Sequence, residues 1–298
     1  MFKDFFRILS ALVFFCAPVL AQSSSTGDLR AQIEQISRDA NGRVGVALTL
    51  LESGESVALL GDQRFPMQSV YKLPIGMAVL NQIDQGRLSL EQKVRVTRKD
   101  FVRAGQHSPV RDKNPRGVEL SVKELLRFMV SESDGTACDV LLRLVGGPQV
   151  VTSYLRGLGI HDIRVADMEK EIGRNISVQY RNWASPIAMV ELLHAIHKGR
   201  GLSSASRALL LQMMIETSTG PRRIKGLLPA GTVVAHRTGS SGEVNGLAPA
   251  TNDVGLITLP NEKRIAVAVF VSDSRVDTAM REAVIARIAK AAWDFWGN

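Results

Sequence analysis

The chain has two cysteines in 298 residues, Cys16 and Cys138, and the first lies in a segment built like a removable export leader. A mature chain left with Cys138 alone cannot form an internal disulfide, even in an oxidising compartment, so its stability has to come from packing. No apolar run reaches the roughly 20 residues that a bilayer-spanning helix needs, which excludes a stable membrane anchor. Lys and Arg are scattered and never form a basic run with interleaved aromatics, so a formal net charge of +8 carries no nucleic-acid footprint. Internal repeats, low-complexity tracts, a Gly-rich phosphate loop and coiled-coil heptads are also missing.

What is there begins with the leader. Lys3 and Arg7 precede the apolar run Ile8 to Cys16, and Val19-Leu20-Ala21 offers the small flanking residues that signal peptidase prefers. Removal of residues 1–21 leaves 277 residues carrying +7, because Lys3, Arg7 and Asp4 go with it. With 45% apolar residues the remainder is long enough for one large catalytic unit or two interleaved lobes, expected to be soluble, periplasmic and monomeric.

Hydrophobic periodicity divides that unit. A helix is expected over Asp28 to Asp39, then a strand pair, Val44 to Leu51 and Ser56 to Leu60, around the turn Glu52-Ser53-Gly54. From Pro66 to about Pro221 the pattern is helical: apolar spacing over Leu73 to Ile83, a capping box Ser121-x-x-Glu124 ahead of Leu125 to Val130, and Ser185-Pro186 opening a helix to Ile196. Strands return at Thr232 to His236, Val254 to Leu259 and Ile265 to Val271, and an amphipathic helix runs from Val276 to Trp296. The pattern predicts an α/β (α+β) lobe, about 28–64 and 222–298, with an inserted helical lobe, about 65–221. Any ligand cleft belongs at their seam.

Three short segments carry candidate chemistry. Ser69-Val-Tyr-Lys72 opens the apolar-periodic helix, and three-residue spacing brings the hydroxyl and amine onto one face. An adjacent lysine can activate a serine as a nucleophile, and a helix N-terminus favours the oxyanion that follows; taken alone, a capping serine beside an exposed lysine explains it equally. Ser133-Asp134-Gly135, between two predicted helices, offers a hydroxyl to shuttle a proton, or another helix cap. Arg237-Thr238-Gly239-Ser240-Ser241-Gly242 follows the alternating Val233 to Ala235, and a strand edge with a cation and hydroxyls suits a carboxylate-bearing ligand. A plain edge strand ending in a Gly turn would read the same way.

In this order and spacing the three segments resemble the Ser-x-x-Lys, Ser-Asp-Asn and Lys-Thr-Gly elements of class A β-lactamases and penicillin-binding proteins. The similarity extends from about Asp28 to the terminal helix, including Thr251-Asn252-Asp253. It implies an antiparallel five-stranded sheet flanked by helices plus an all-helical lobe, and hydrolysis of the β-lactam ring through an acyl-enzyme on Ser69. The alternatives it leaves are a D,D-peptidase or penicillin-binding protein, or a non-hydrolytic β-lactam sensor. Asp167-Met168-Glu169-Lys170-Glu171 with Val178-Gln179-Tyr180-Arg181-Asn182-Trp183 is similar to the omega loop of the class A subgroup in which that loop is expanded or rearranged. Counting back from Asn182-Trp183 puts the deacylating base at Glu169, with Glu171 as its rival.

The resemblance also implies Lys72 with Glu169 as acylation bases, Ser133 as proton shuttle, and the backbone N–H groups of Ser69 and Ser240 as oxyanion hole. It places Arg237, Thr238, Gly239, Ser240 and Arg223 at the substrate carboxylate, with Arg222 an alternative to Arg223, and His107 at the aromatic gate. Four departures stand out. Gly135 replaces an asparagine that touches the lysine and the substrate amide, and Arg237 replaces lysine with a different donor geometry. Gly173 stands where many members hold the hydrolytic water with asparagine, and Asp167 with Asn182 replaces an ion pair that ties the loop. No metal or cofactor is called for: His194-x-x-His197 lacks a third ligand at useful spacing, and His-x-His-x-Asp does not occur.

Overall fold

The computed structural model describes residues 25–297; the expected leader 1–21 lies outside them. The chain runs through α1 (Thr26–Arg38), β1 (Arg43–Leu50), β2 (Ser56–Leu59) and β3 (Phe65–Pro66), then a 3₁₀ turn at Gln68–Tyr71 that leads into α2 (Lys72–Asp84). Next come β4 (Lys93–Val96), α3 (Pro109–Lys113), β5 (Val118–Ser121), α4 (Val122–Ser131), α5 (Gly135–Val145) and α6 (Pro148–Gly157). A loop segment follows with β6 (Ile163–Arg164), α7 (Glu169–Ile172) and β7 (Trp183–Ala184), then α8 (Pro186–Lys198) and α9 (Ser204–Ile215). The chain closes with β8 (Val234–Ser240), β9 (Thr251–Thr258), β10 (Arg264–Ser272) and α10 (Thr278–Trp296).

The main sheet is five-stranded and antiparallel, in the order β2-β1-β10-β9-β8. Its strands read as near-continuous apolar runs because both faces are covered. Along β10, Ile265, Val267, Val269 and Val271 point to the layer of α1 and α10, whereas Ala266, Ala268 and Phe270 join the core shared with the helical block. Successive side chains of a strand face opposite ways, so one strand seals two cores. The small residues on the inner face let α8 pack close against β1 and β10.

The helical block is centred on α2, in which every residue from Lys72 to Leu80 is buried. A helix apolar on all sides suits the middle of a bundle. Around it, α4 starts with the expected capping box between Ser121 and Glu124, and α8 is capped by Ser185 with Pro186 in its first turn. The block also holds two small pairings, β4 with β5, and β3-β7-β6, in which the two ends of the segment bearing α7 pair with each other and β7 pairs with β3. Two-residue strands carry no periodicity signal, so their sequence reads as loop.

Candidate active site

Ser69 lies inside the 3₁₀ turn that precedes α2, not in the α-helix itself. At three residues per turn, positions i and i+3 eclipse, and Lys72 Nζ lies 3.0 Å from Ser69 Oγ. The same Nζ is 2.9 Å from the Ser133 carbonyl and 2.7 Å from Glu169 Oε1. Three oxygens surround the buried Lys72 Nζ and satisfy it without any side chain from Gly135.

The approach to Ser69 is strained and braced. Gln68 sits at φ 47°, a left-handed conformation uncommon for a side-chain-bearing residue, and its amide donates to Gln179 Oε1 at 2.7 Å. From β9, Asn252 Nδ2 donates to the carbonyls of Pro66 and Met67 at 2.8 and 3.1 Å. From β8, Gly239 comes so near that a Cβ there would stand 2.3 Å from the Met67 carbonyl oxygen. The glycine is required by close approach.

Ser133 is also left-handed, at φ 64°. The next residue, Asp134, caps α5: it accepts from the amides of Ala137 and Val110, both at 2.7 Å, and from Ser108 Oγ. Burial raises its carboxyl above the usual range against the pull of those bonds. Ser133 therefore projects into the site from a turn whose other residues are tied down.

Glu169 opens α7, which has no side-chain cap of its own. Buried Asp139 on α5 supplies one: its two oxygens accept from the amides of Glu169 and Lys170 at 2.7 and 3.1 Å. Burial first, then the charge of Glu169, pushes Asp139 up to about 7. Gln106 donates to the Glu169 carbonyl at 2.6 Å, and a Cβ on Gly173 would collide with that amide at 2.7 Å. Where the family resemblance sets an asparagine, Gln106 from another loop fills the space. The missing ion pair is likewise replaced: the Asn182 side chain accepts from the amides of Ala166 and Asp167 and donates to the Asp167 carbonyl, while Asp167 pairs with Arg181 at 3.1 Å.

A cavity of about 340 Å³ is lined by Ser69, Lys72, Ser133, Glu169, His107 and Ser240, together with Gln68, Gln106, Gly173 and Gln179. His107 is exposed there and bonds the Glu132 carbonyl through its ring at 2.8 Å. Glu171, the rival base, is outside the lining and pairs with Arg174 at 2.9 Å. Gly135, Thr238 and Gly239 stand behind the wall, Thr238 sharing a 2.5 Å hydroxyl contact with Thr219.

The two cations expected at the substrate carboxylate are both buried. Arg223 is not open to a substrate: at 5% exposure it pairs with Glu282 and donates to the carbonyls of Gly239 and Asn252, reaching the site only through Ser240 Oγ at 2.7 Å. Arg222 points outward, 74% exposed, onto the same Glu282. Arg237 is fully buried, donating through Nε to the Ser69 carbonyl at 3.1 Å and through Nη2 to Ser133 Oγ at 2.6 Å. Burial lowers it to about 10, so it stays a cation at neutral pH. Gln106, Asp139 and Thr219 are site residues without a sequence signal of their own, since each acts across the fold; Asn252 was visible only as part of the resemblance, without a role.

Such a constellation can form an ester on Ser69 and then present water to it, the chemistry of a serine hydrolase that works through an acyl-enzyme. Residues 28–296 match the model of the beta-lactamase enzyme family, and the chain belongs to that family. It is 40% identical over 294 residues to Beta-lactamase VEB-1 of Pseudomonas aeruginosa, covering 98% of each chain. To Extended-spectrum beta-lactamase PER-1 of the same organism it is 44% identical over 269 residues, covering 90% of this chain and 87% of that one. Among solved structures, a β-lactamase from Chitinophaga pinensis superposes with a TM-score of 0.88 at 46% identity, over 90% of this chain and 98% of the other. TLA-1 extended-spectrum β-lactamase gives 0.90 at 42% identity, over 92% and 100%. An ancestral class A β-lactamase also matches, at 0.82 and 33%, over 89% and 99%. The protein is a class A serine β-lactamase.

Proposed function

We propose that the protein opens the β-lactam ring of penicillins and cephalosporins and confers resistance to them, with Ser69 as nucleophile. Ser69 Oγ attacks the ring carbonyl as its proton passes to the Lys72 and Glu169 pair, and the oxyanion is held by the amides of Ser69 and Ser240. The carbon–nitrogen bond breaks, the Ser133 hydroxyl hands its proton to the departing nitrogen, and the Lys72 and Glu169 pair passes the proton taken from Ser69 on to Ser133, which leaves Glu169 free to act as a base again. Glu169 then takes a proton from water, the hydroxide attacks the ester, and Ser69 leaves with its hydroxyl restored. Arg237 acts from behind, orienting Ser133 and putting positive charge beneath Ser240, the hydroxyl on the cavity wall that receives the substrate carboxylate, with Thr238 behind it; Arg223 positions Ser240. The open edge Ser240-Ser241-Gly242 leaves room for the larger ring system of cephalosporins.

The observation that carries this reading is one amine within 3.0 Å of the nucleophile and 2.7 Å of a carboxylate on the loop opposite. It is tested by following cephalosporin hydrolysis while taking intact masses of wild type and Glu169→Gln. Turnover by wild type, with an adduct that persists only in the variant, is expected. Absence of wild-type turnover overturns the proposal, and unchanged turnover in Glu169→Gln transfers the deacylating role to Glu171. Residues 1–21 belong to the same reading as an export leader, with the mature chain acting as a periplasmic monomer.

A further inference from the structure

A second cavity, of about 580 Å³, shares no lining residue with the one at Ser69. Four arginines line it, Arg64, Arg156, Arg164 and Arg181, with His161, Ser153 and Gln149, against a single carboxylate, Asp162. They come from four places in the chain: the turn before β3, helix α6, strand β6 and the approach to β7. The walls that carry them are fixed. The backbones of Arg164 and Trp183 pair across β6 and β7, and Thr152 Oγ1 both donates to and accepts from the backbone of Val165, at 2.9 and 3.1 Å.

The guanidiniums are mostly unspent. Arg181 is paired with Asp167 and Arg64 stacks on the Trp183 ring at 4.1 Å, but Arg156 and Arg164 have no hydrogen-bond or ion-pair partner among the described residues. All four side chains are exposed around the concavity; cations gathered in one concave surface raise the local positive potential, and planar forks of N–H donors match the paired oxygens of a phosphoryl group. The cavity offers more donors than one phosphate could use.

We infer that this cavity binds a small anion carrying two or more phosphoryl groups, held by Arg156 and Arg164 with Arg64 and Arg181 at the margins. Arg164 and Arg181 stand at the two ends of the segment that carries Glu169, so the anion clamps the neck of the catalytic loop. The site is distinct from the β-lactam cleft and stands whether or not the roles given to Ser69 and Glu169 hold.

The test is titration of the folded protein with sodium tripolyphosphate at constant ionic strength, read by calorimetry and by thermal unfolding. At about 100 times Kd the Tm should rise by about 5 °C. The double variant Arg156→Ala, Arg164→Ala should bind at least about tenfold more weakly. The control double variant Arg95→Ala, Arg116→Ala loses the same charge from another, exposed basic cavity and should bind as wild type does. Equal weakening in the two doubles, or no wild-type response beyond that to matched sodium sulfate, overturns the inference. Co-sedimentation with vesicles of a lipid whose headgroup carries two phosphoryl groups, abolished by the same double variant, would assign the phosphoryl source to a lipid headgroup; binding of tripolyphosphate alone assigns it to a soluble anion.

Discussion

Replacing Asp139 by asparagine tests how the loop that bears Glu169 is held. In the folded chain this carboxyl is raised from 3.8 to about 7, by burial and then by the neighbouring Glu169, against the two amides it accepts. The native state therefore keeps a proton that the unfolded chain has lost between those two values. Stability must fall as pH rises through that window, with the full penalty reached above about pH 7. One pKa unit is worth about 1.4 kcal/mol, so the whole penalty is about 4 kcal/mol, and about 2 kcal/mol of it develops between pH 5.5 and pH 8. Asparagine keeps an acceptor for the Glu169 amide and loses the titration, at the expense of the bond to Lys170, about 1 kcal/mol. Urea unfolding at both pH values supplies the measurement. Relative to Asp139→Asn, wild type should lose about 2 kcal/mol on going from pH 5.5 to pH 8, a difference of several degrees in Tm. Parallel pH profiles for the two proteins would refute the reasoning, since other titrating groups cancel in the comparison.

Further expectations follow from the same geometry. Arg237→Ala should lower kcat/KM by about 100-fold, because Ser133 Oγ and the Ser69 carbonyl both lose a donor; Arg237→Lys, which keeps the charge but not the fork, should recover part of it, as steady-state kinetics will show. Gly239→Ala forces a methyl against the Met67 carbonyl and should cost about 1–3 kcal/mol in thermal or urea unfolding. Gln106→Ala unties the Glu169 carbonyl and vacates the space beside Gly173; pre-steady-state traces should show slowed deacylation with the acylation burst intact. Gln106→Glu, which cannot donate there, should behave alike if the hydrogen bond matters, and like wild type if only the filled volume does.

Local signals were sufficient where local physics decides. The capping box at Ser121, the Ser185-Pro186 helix start and the apolar strands near both ends depend on neighbours a few residues away, and the sheet follows from them. The spacing of Ser69 and Lys72 likewise contains their contact, although the turn that makes it is 3₁₀. Glu169 entered as a candidate through the resemblance of Asp167 to Trp183 to the omega loop, and its 2.7 Å contact with Lys72 follows from no local spacing. The motifs around Arg223 and Arg237 say nothing about depth, which is set by α10 and β9 for one and by the turns at Ser69 and Ser133 for the other.

The sequence by itself determined the family, the order of sheet and helical block, and the types of group that meet at Ser69, since these depend on residue identity and short spacing. Only the tertiary structure decided how those groups are held. Asp139 beneath α7, Gln106 in the space beside Gly173, Asn252 against Pro66 and Met67, and Arg237 behind both serines act between segments 30 to 186 residues apart. Such contacts leave no periodic trace, because they are fixed by which elements pack together rather than by which residues are neighbours in the chain.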